Sequence, residues 1–252
     1  MHKKRKGLRA IIALVIIAAV ALSLFLLIKN KVIRVNMLFV SIKDTVGVDI
    51  SRYQGDVDME ELASQRVSFV YIKATEGAGH TDEMFRENWE KAKNTGIPRG
   101  AYHFFSFESS GVEQARNYIE TVGDLTGDLV PVVDVEYYTS RGMGAPEKED
   151  IVRELKACLE ELENYYHVKP MIYSSRAGYR DFLAGEVTGY PMWVRSIFLP
   201  AAMEGWKEWT IWQYTDTATL RGYTGGEKYI DMNVLSRDVT LEELTVGAGT
   251  QK

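Results

Sequence analysis

A chain of 252 residues, 46% of them hydrophobic, can bury one large core, and its single cysteine, Cys158, excludes an intrachain disulfide framework. Of its 30 basic and 35 acidic residues, nine bases and one acid fall in the first 45 positions, so the remainder carries 21 bases against 34 acids. A body that acidic is a poor partner for nucleic acid or other anionic polymers.

In chain order, residues 1–9 form a basic tail containing Lys3, Lys4, Arg5, Lys6 and Arg9. Residues 10–28 carry no charge, with Ser23 as the one weakly polar side chain. As a helix they would span roughly 28 Å, close to the hydrocarbon thickness of a bilayer. The segment is expected to cross the membrane once, with the N-terminus cytoplasmic and the rest of the chain outside. It ends Phe25-Leu-Leu-Ile-Lys-Asn-Lys31 without the small residues of a cleavage site, which favours an uncleaved anchor over a secreted, processed form. Residues 29–45 form a juxtamembrane linker with no Gly or Pro and many apolar side chains, which can pack on the domain or extend the helix.

From residue 46 to the end, short apolar runs alternate with amphipathic stretches, the rhythm of β/α units around a mostly parallel sheet or barrel. Strands are predicted at 46–50, 68–74, 99–104, 129–135, 171–174, 192–195, 210–214 and 229–232, and helices at 59–65, 83–95, 112–121, 147–166 and 177–183. The clearest helix follows Pro146, with Ile151, Leu155, Leu159 and Leu162 at helical spacing. Cys158 lies on that face, as a core thiol. After about residue 185 the helical signals fade.

The fourth strand ends in Asp134-Val135-Glu136. Alternation along a strand puts both acids on one face with Val132, their Cα atoms roughly 6–7 Å apart. Carboxylates that close oppose one another's ionisation, which suits acid–base chemistry; capping a helix or pairing with Arg is the plainer alternative. In such barrels function gathers at the C-terminal ends of strands. Those ends present Asp49, Lys73, Glu76, Tyr102, His103, Tyr173, Trp193, Gln213 and Asp231. Acids and amides bond hydroxyls and aromatic faces stack on sugar rings, so a carbohydrate cleft is expected. His103 reads as structural, no Cys or His joins it at ligand spacing, and neither metal nor cofactor is expected.

These stretches resemble glycoside hydrolase family 25, the lysozymes or N-acetylmuramidases. The matching motifs are Gly47-Val-Asp-Ile-Ser51, Tyr71-Ile-Lys-Ala-Thr-Glu-Gly77, Gly100-Ala-Tyr-His-Phe104, Pro131-Val-Val-Asp-Val-Glu136, Ile172-Tyr-Ser174, Trp212-Gln-Tyr-Thr215 and Ile230-Asp-Met-Asn233. The resemblance implies a flattened, irregular β/α barrel of about eight strands with fewer helices, forming a catalytic domain over 46–252. It implies cleavage of the β-1,4 bond between N-acetylmuramic acid and N-acetylglucosamine in peptidoglycan. It makes Glu136 the general acid and Asp134 the residue that orients the substrate's 2-acetamido group as nucleophile. Asp49 and Asp231 become further acids of the site, and Tyr102, Tyr173, Trp193, Gln213, Lys73 and Glu76 candidate substrate contacts. Trp193-Val-Arg-Ser196 departs from the family, which often has Ala and a following Tyr there. A binding protein that keeps the barrel without cleavage is the rival reading, and the intact Asp134 and Glu136 argue against it. A chitin-type glycosidase is disfavoured because the positions before Asp134 are apolar.

Overall fold

A computed structural model describes residues 2–137 and 147–247. Helix α1 (His2–Lys29) stands apart from the rest of the chain, and its apolar stretch, Ile11–Lys29, has a mean hydropathy of 3.3 and no buried share. The remainder folds into one sheet. Strands β1 (Val46–Ile50), β2 (Phe69–Glu76), β4 (Arg99–Phe104), β5 (Val132–Val135), β6 (Met171–Ser175), β7 (Met192–Arg195), β8 (Ile211–Ala218) and β9 (Ile230–Leu235) close a barrel, because β1 pairs with both β2 and β9. A two-residue strand, β3 (His80–Thr81), hangs on the end of β2. The pairs from β1 through β8 run parallel, while β9 runs antiparallel to β8 and β1. The mostly parallel barrel is as expected, and the last predicted strand is the one that runs in reverse.

Helices α2 (Met59–Ser64), α3 (Phe85–Thr95), α4 (Gly111–Val122) and α5 (Lys148–Tyr166) cover the outside of one half of the barrel. The apolar face of α5 (Ile151, Leu155, Cys158, Leu159, Leu162) is buried in the main core, as its spacing predicts, and Glu147 is its N-cap. Pro146 lies outside the described residues. After β6, a helical turn (Arg176–Gly178) runs into a π-helical turn (Tyr179–Leu183). Gly178 is needed there for room: a Cβ would stand 2.7 Å from Val135 O and 2.5 Å from Ser174 Oγ.

The β7–β8–β9 wall is covered differently. Val46, Val194, Trp206, Trp212, Tyr214 and Val234 form a second core, against which Val40 of the linker packs. The apolar linker therefore serves the barrel as a surface layer. Inside the barrel, aromatic side chains fill the lower half. The Tyr71 and Trp193 rings lie 5.0 Å apart and those of Trp193 and Tyr173 5.2 Å apart, with Trp193 2% exposed. Of these, Trp193 and Tyr173 border the cavity that opens above them, and Tyr71 is buried beneath.

Candidate active site

The cavity has a volume of about 360 Å³ and lies at the C-terminal ends of the strands. Val132, Asp134 and Glu136 all border it, which is the alternation predicted for β5 and the residue after it. Asp49, Lys73, Tyr102, Tyr173 and Asp231 face the same space. The structure thus brings together all four expected acids.

Asp49 and Asp231 face each other across the β1–β9 pair. Two amides hold them. Asn233 Nδ2 donates to Asp49 Oδ2 at 2.7 Å, and Gln213 Nε2 donates to Asp231 Oδ2 at 3.0 Å and to Asp49 Oδ2 at 3.3 Å. Each amide is oriented in turn by an aromatic donor. Tyr173 O–H donates to Gln213 Oε1 at 2.9 Å, and Trp193 Nε1–H donates to Asn233 Oδ1 at 2.9 Å. With its carbonyl so engaged, each amide can turn only its N–H groups toward the acids.

Burial raises the carboxyl pKa values throughout this cluster, because water is replaced by aromatic and aliphatic walls. It lifts Asp134 well above the carboxylate range, and the neighbouring Glu136 adds to the effect. Glu136 is itself raised by burial, against the pull of Arg195 and with Asp49 adding to the rise. Burial and then Asp49 push Asp231 up to about 8. Asp49 is raised by burial despite the two amide donors. Both carboxyls of the Asp134–Glu136 pair are therefore shifted toward the protonated form. Asp134 Oδ1 is buried with no hydrogen-bond partner among the described residues, an acceptor left for a ligand.

Three of the candidate sugar contacts are engaged with other side chains. Gln213 is 1% exposed and lies behind the wall, where it organises the acids. Trp193 borders the cavity; its ring packs against Tyr71 and Tyr173, and its N–H supports Asn233. Glu76 pairs with Lys73 Nζ at 2.7 Å and is not among the residues that line the cavity. Lys73 remains on the wall, 4.7 Å from the Phe104 ring centroid. His103 is structural: its Nε2 meets Gln114 Oε1 at 3.1 Å, its Nδ1 meets Thr75 Oγ1 at 2.8 Å, and burial lowers it to about 4, so it stays neutral. No grouping of three or more His, Cys, Asp or Glu suited to a metal ion occurs among the described residues.

Sequence reasoning missed the mouth. Tyr53 borders the cavity from a 3-10 turn (Arg52–Gln54), Glu227 and Tyr229 from a loop, and Asp216 near the end of β8. Arg195, the residue that departs from the family pattern, donates to Asp216 Oδ2 at 3.0 Å. Tyr53 and Tyr229 each lie within four residues of an acid of the site, the one local signal that could have found them.

The family description "Glycosyl hydrolases family 25" matches residues 48–223. Lysozyme M1 of Streptomyces globisporus is 32% identical over 193 residues, covering 71% of this chain and 64% of the relative. A family 25 glycosyl hydrolase structure from Bacillus anthracis superposes with a TM-score of 0.72 at 38% identity, covering 79% of this chain and 93% of that one. The lysozyme structure from Streptomyces coelicolor gives a TM-score of 0.71 at 28% identity, covering 81% and 98%.

Proposed function

Because this chain belongs to glycosyl hydrolase family 25 and is a lysozyme-type peptidoglycan hydrolase, we propose a division of labour among its acids for cleaving the β-1,4 bond between N-acetylmuramic acid and N-acetylglucosamine. Burial raises both acids, and when the substrate's acetamido N–H engages Asp134 as a carboxylate the proton of the pair resides on Glu136, which donates it to the leaving glycosidic oxygen. The carbonyl oxygen of the substrate's own 2-acetamido group attacks the anomeric carbon as that bond breaks. Asp134 accepts the acetamido N–H and balances the positive charge that develops on the resulting ring. Water then attacks the anomeric carbon, giving its proton to Glu136 and restoring the acetamido group. Asp49 and Asp231, locked by Asn233 and Gln213, hold sugar hydroxyls beside the reacting bond. Because the nucleophile comes from the substrate, the separation rule for two-carboxylate glycosidases does not govern this pair.

The observation that carries this reading is the unpartnered Oδ1 of Asp134 on the wall shared with Glu136. The test is release of reducing ends from purified peptidoglycan by the full chain in detergent. Glu136→Gln is expected to lose about 10²–10⁴-fold in rate with its fold intact, the scale of a lost general acid. Wild-type activity in that variant would refute the assignment.

The proposed domain plan is a basic cytoplasmic tail (1–9), a membrane-spanning helix (10–28), a juxtamembrane segment (29–45) and an extracellular catalytic domain (46–252). The 19-residue apolar stretch of α1 and the basic tail before it support this topology. An uncleaved anchor would confine hydrolysis to glycan near the membrane.

A further inference from the structure

Helix α1 is joined to the rim of the cleft by a short, fixed path. The chain turns immediately after Lys29: Lys31 has a φ of 57°, and the backbone N–H groups of Val32 and Ile33 both donate to Leu27 O. Lys31 Nζ then lies 2.5 Å from Asp216 Oδ2, on the cavity wall, and 5.9 Å from the centre of the Phe198 ring. Five residues further on, the buried Asn36 donates to Ser196 O at 2.8 Å and to Tyr214 O at 3.0 Å, while Ser196 Oγ donates to Leu199 O at 2.6 Å. The segment after the helix is therefore clamped to the 196–199 loop, and Lys31, two residues past the helix end, reaches Asp216 and Phe198 on the rim.

The side chains around this junction are apolar and turned outward. Val32 is 69% exposed, Leu38 84%, Phe198 40% and Leu199 41%. Lys29, Lys31 and Arg34 are interleaved with them in the sequence. Apolar side chains beside ammonium and guanidinium groups match the boundary of a bilayer, where hydrocarbon enters the acyl region and cations meet lipid phosphates.

We propose that the lipid surface of the membrane spanned by α1 is the partner of this face, so that the barrel rests on the bilayer through residues 32–38 and the 196–199 loop. The Asp216 rim of the cleft then lies at headgroup level, and the glycan being cut runs across the membrane surface. This rests on the reading of α1 as an uncleaved anchor. The chain's own path argues for lipid over a protein partner: a helix that ends in the interface delivers Lys31, and with it Phe198 and Asp216, to the same depth.

The test uses the full chain in nanodiscs of phosphatidylcholine and phosphatidylglycerol, with a fluorophore on a cysteine introduced at Leu22, Leu38, Leu199 or Asn94. Asn94 is an exposed control on α3, across the barrel, and Cys158 is fully buried and unreactive in the folded chain. Each variant must retain wild-type turnover of soluble glycan fragments, which the exposure of the substituted residues permits. Lipids carrying a nitroxide near the headgroup are expected to quench the labels at 22, 38 and 199 and to leave the label at 94 unchanged. Quenching at 22 without quenching at 38 or 199 overturns the lipid contact and leaves the anchor standing. No quenching at 22 overturns the anchor, and the lipid contact with it.

Discussion

Arg195 shows how one departure from a family pattern is absorbed. Its guanidinium pairs with Asp216 and pulls the Glu136 carboxyl downward, against the rise that burial imposes. Removing it as Arg195→Ala takes away that pull, so the Glu136 pKa rises further. The reaction needs Glu136 protonated, so the alkaline limb of the pH–rate profile should move to higher pH. A limb that stays in place or moves down would show that Arg195 does not act on Glu136. The four acids were legible in the sequence because each stands at the end of an apolar run or at its edge, where alternation fixes its direction. Asp216, Glu227, Tyr53 and Tyr229 were not, because three-dimensional paths of loops and strand ends bring them to the mouth. The roles of Gln213 and Trp193 were also hidden: a buried amide that bridges two acids and a strand-end residue that touches sugar look alike in one dimension.

At the scale of elements, the turn after β6 controls where β5 ends. Ser174 Oγ donates to Val135 O at 2.7 Å, one residue before Glu136, and Gly178 leaves space beside both groups. Gly178→Ala must push the Val135 carbonyl or the turn aside. The expected result is a destabilisation of about 1–3 kcal/mol, the cost of overpacking, with kcat falling more than stability alone explains. Equilibrium denaturation paired with steady-state kinetics measures both, and an unchanged kcat would show that the turn does not position Glu136. Helices α3, α4 and α5 were readable to within two residues because their apolar periodicity survives packing on the sheet. The turn over 176–183 was read as an ordinary helix, and its π character depends on contacts rather than on local spacing.

For the molecule as a whole, four carboxyls buried in one cavity make stability depend on pH. Asp231 is raised to about 8 in the folded chain from an ordinary unfolded value near 4. The folded state thus holds this proton more tightly, so its contribution to stability is complete below about pH 4 and fades as pH rises toward 8. Asp231→Asn is expected to melt higher than wild type at pH 8, by about 3–6 °C for a gain of 1–2 kcal/mol, and to lose that advantage at pH 5. Equal melting differences at the two pH values would contradict a raised Asp231. The barrel was expected from the strand rhythm and the resemblance, whereas the antiparallel placement of β9 between β8 and β1 was not, since nothing local marks it. The linker's place on the β7–β8–β9 wall was left open by its composition, and Asn36, with two buried carbonyl partners, decides it. Asn36→Ala should leave Ser196 O and Tyr214 O without that donor, costing about 1–3 kcal/mol and making the linker accessible to protease. Unchanged proteolysis would show that the linker is held by apolar packing alone.

The division of labour between Asp134 and Glu136 is tested most directly by the substrate. Initial rates of the full chain should be compared on N-acetylated glycan and on the same glycan chemically de-N-acetylated. Removing the acetyl group removes the proposed nucleophile and the N–H that Asp134 would hold, so the rate should fall by at least about a hundredfold. Asp134→Asn should fall similarly on the acetylated glycan and add little to the loss on the deacetylated one. Equal wild-type rates on the two glycans would contradict attack by the acetamido group and the role assigned to Asp134.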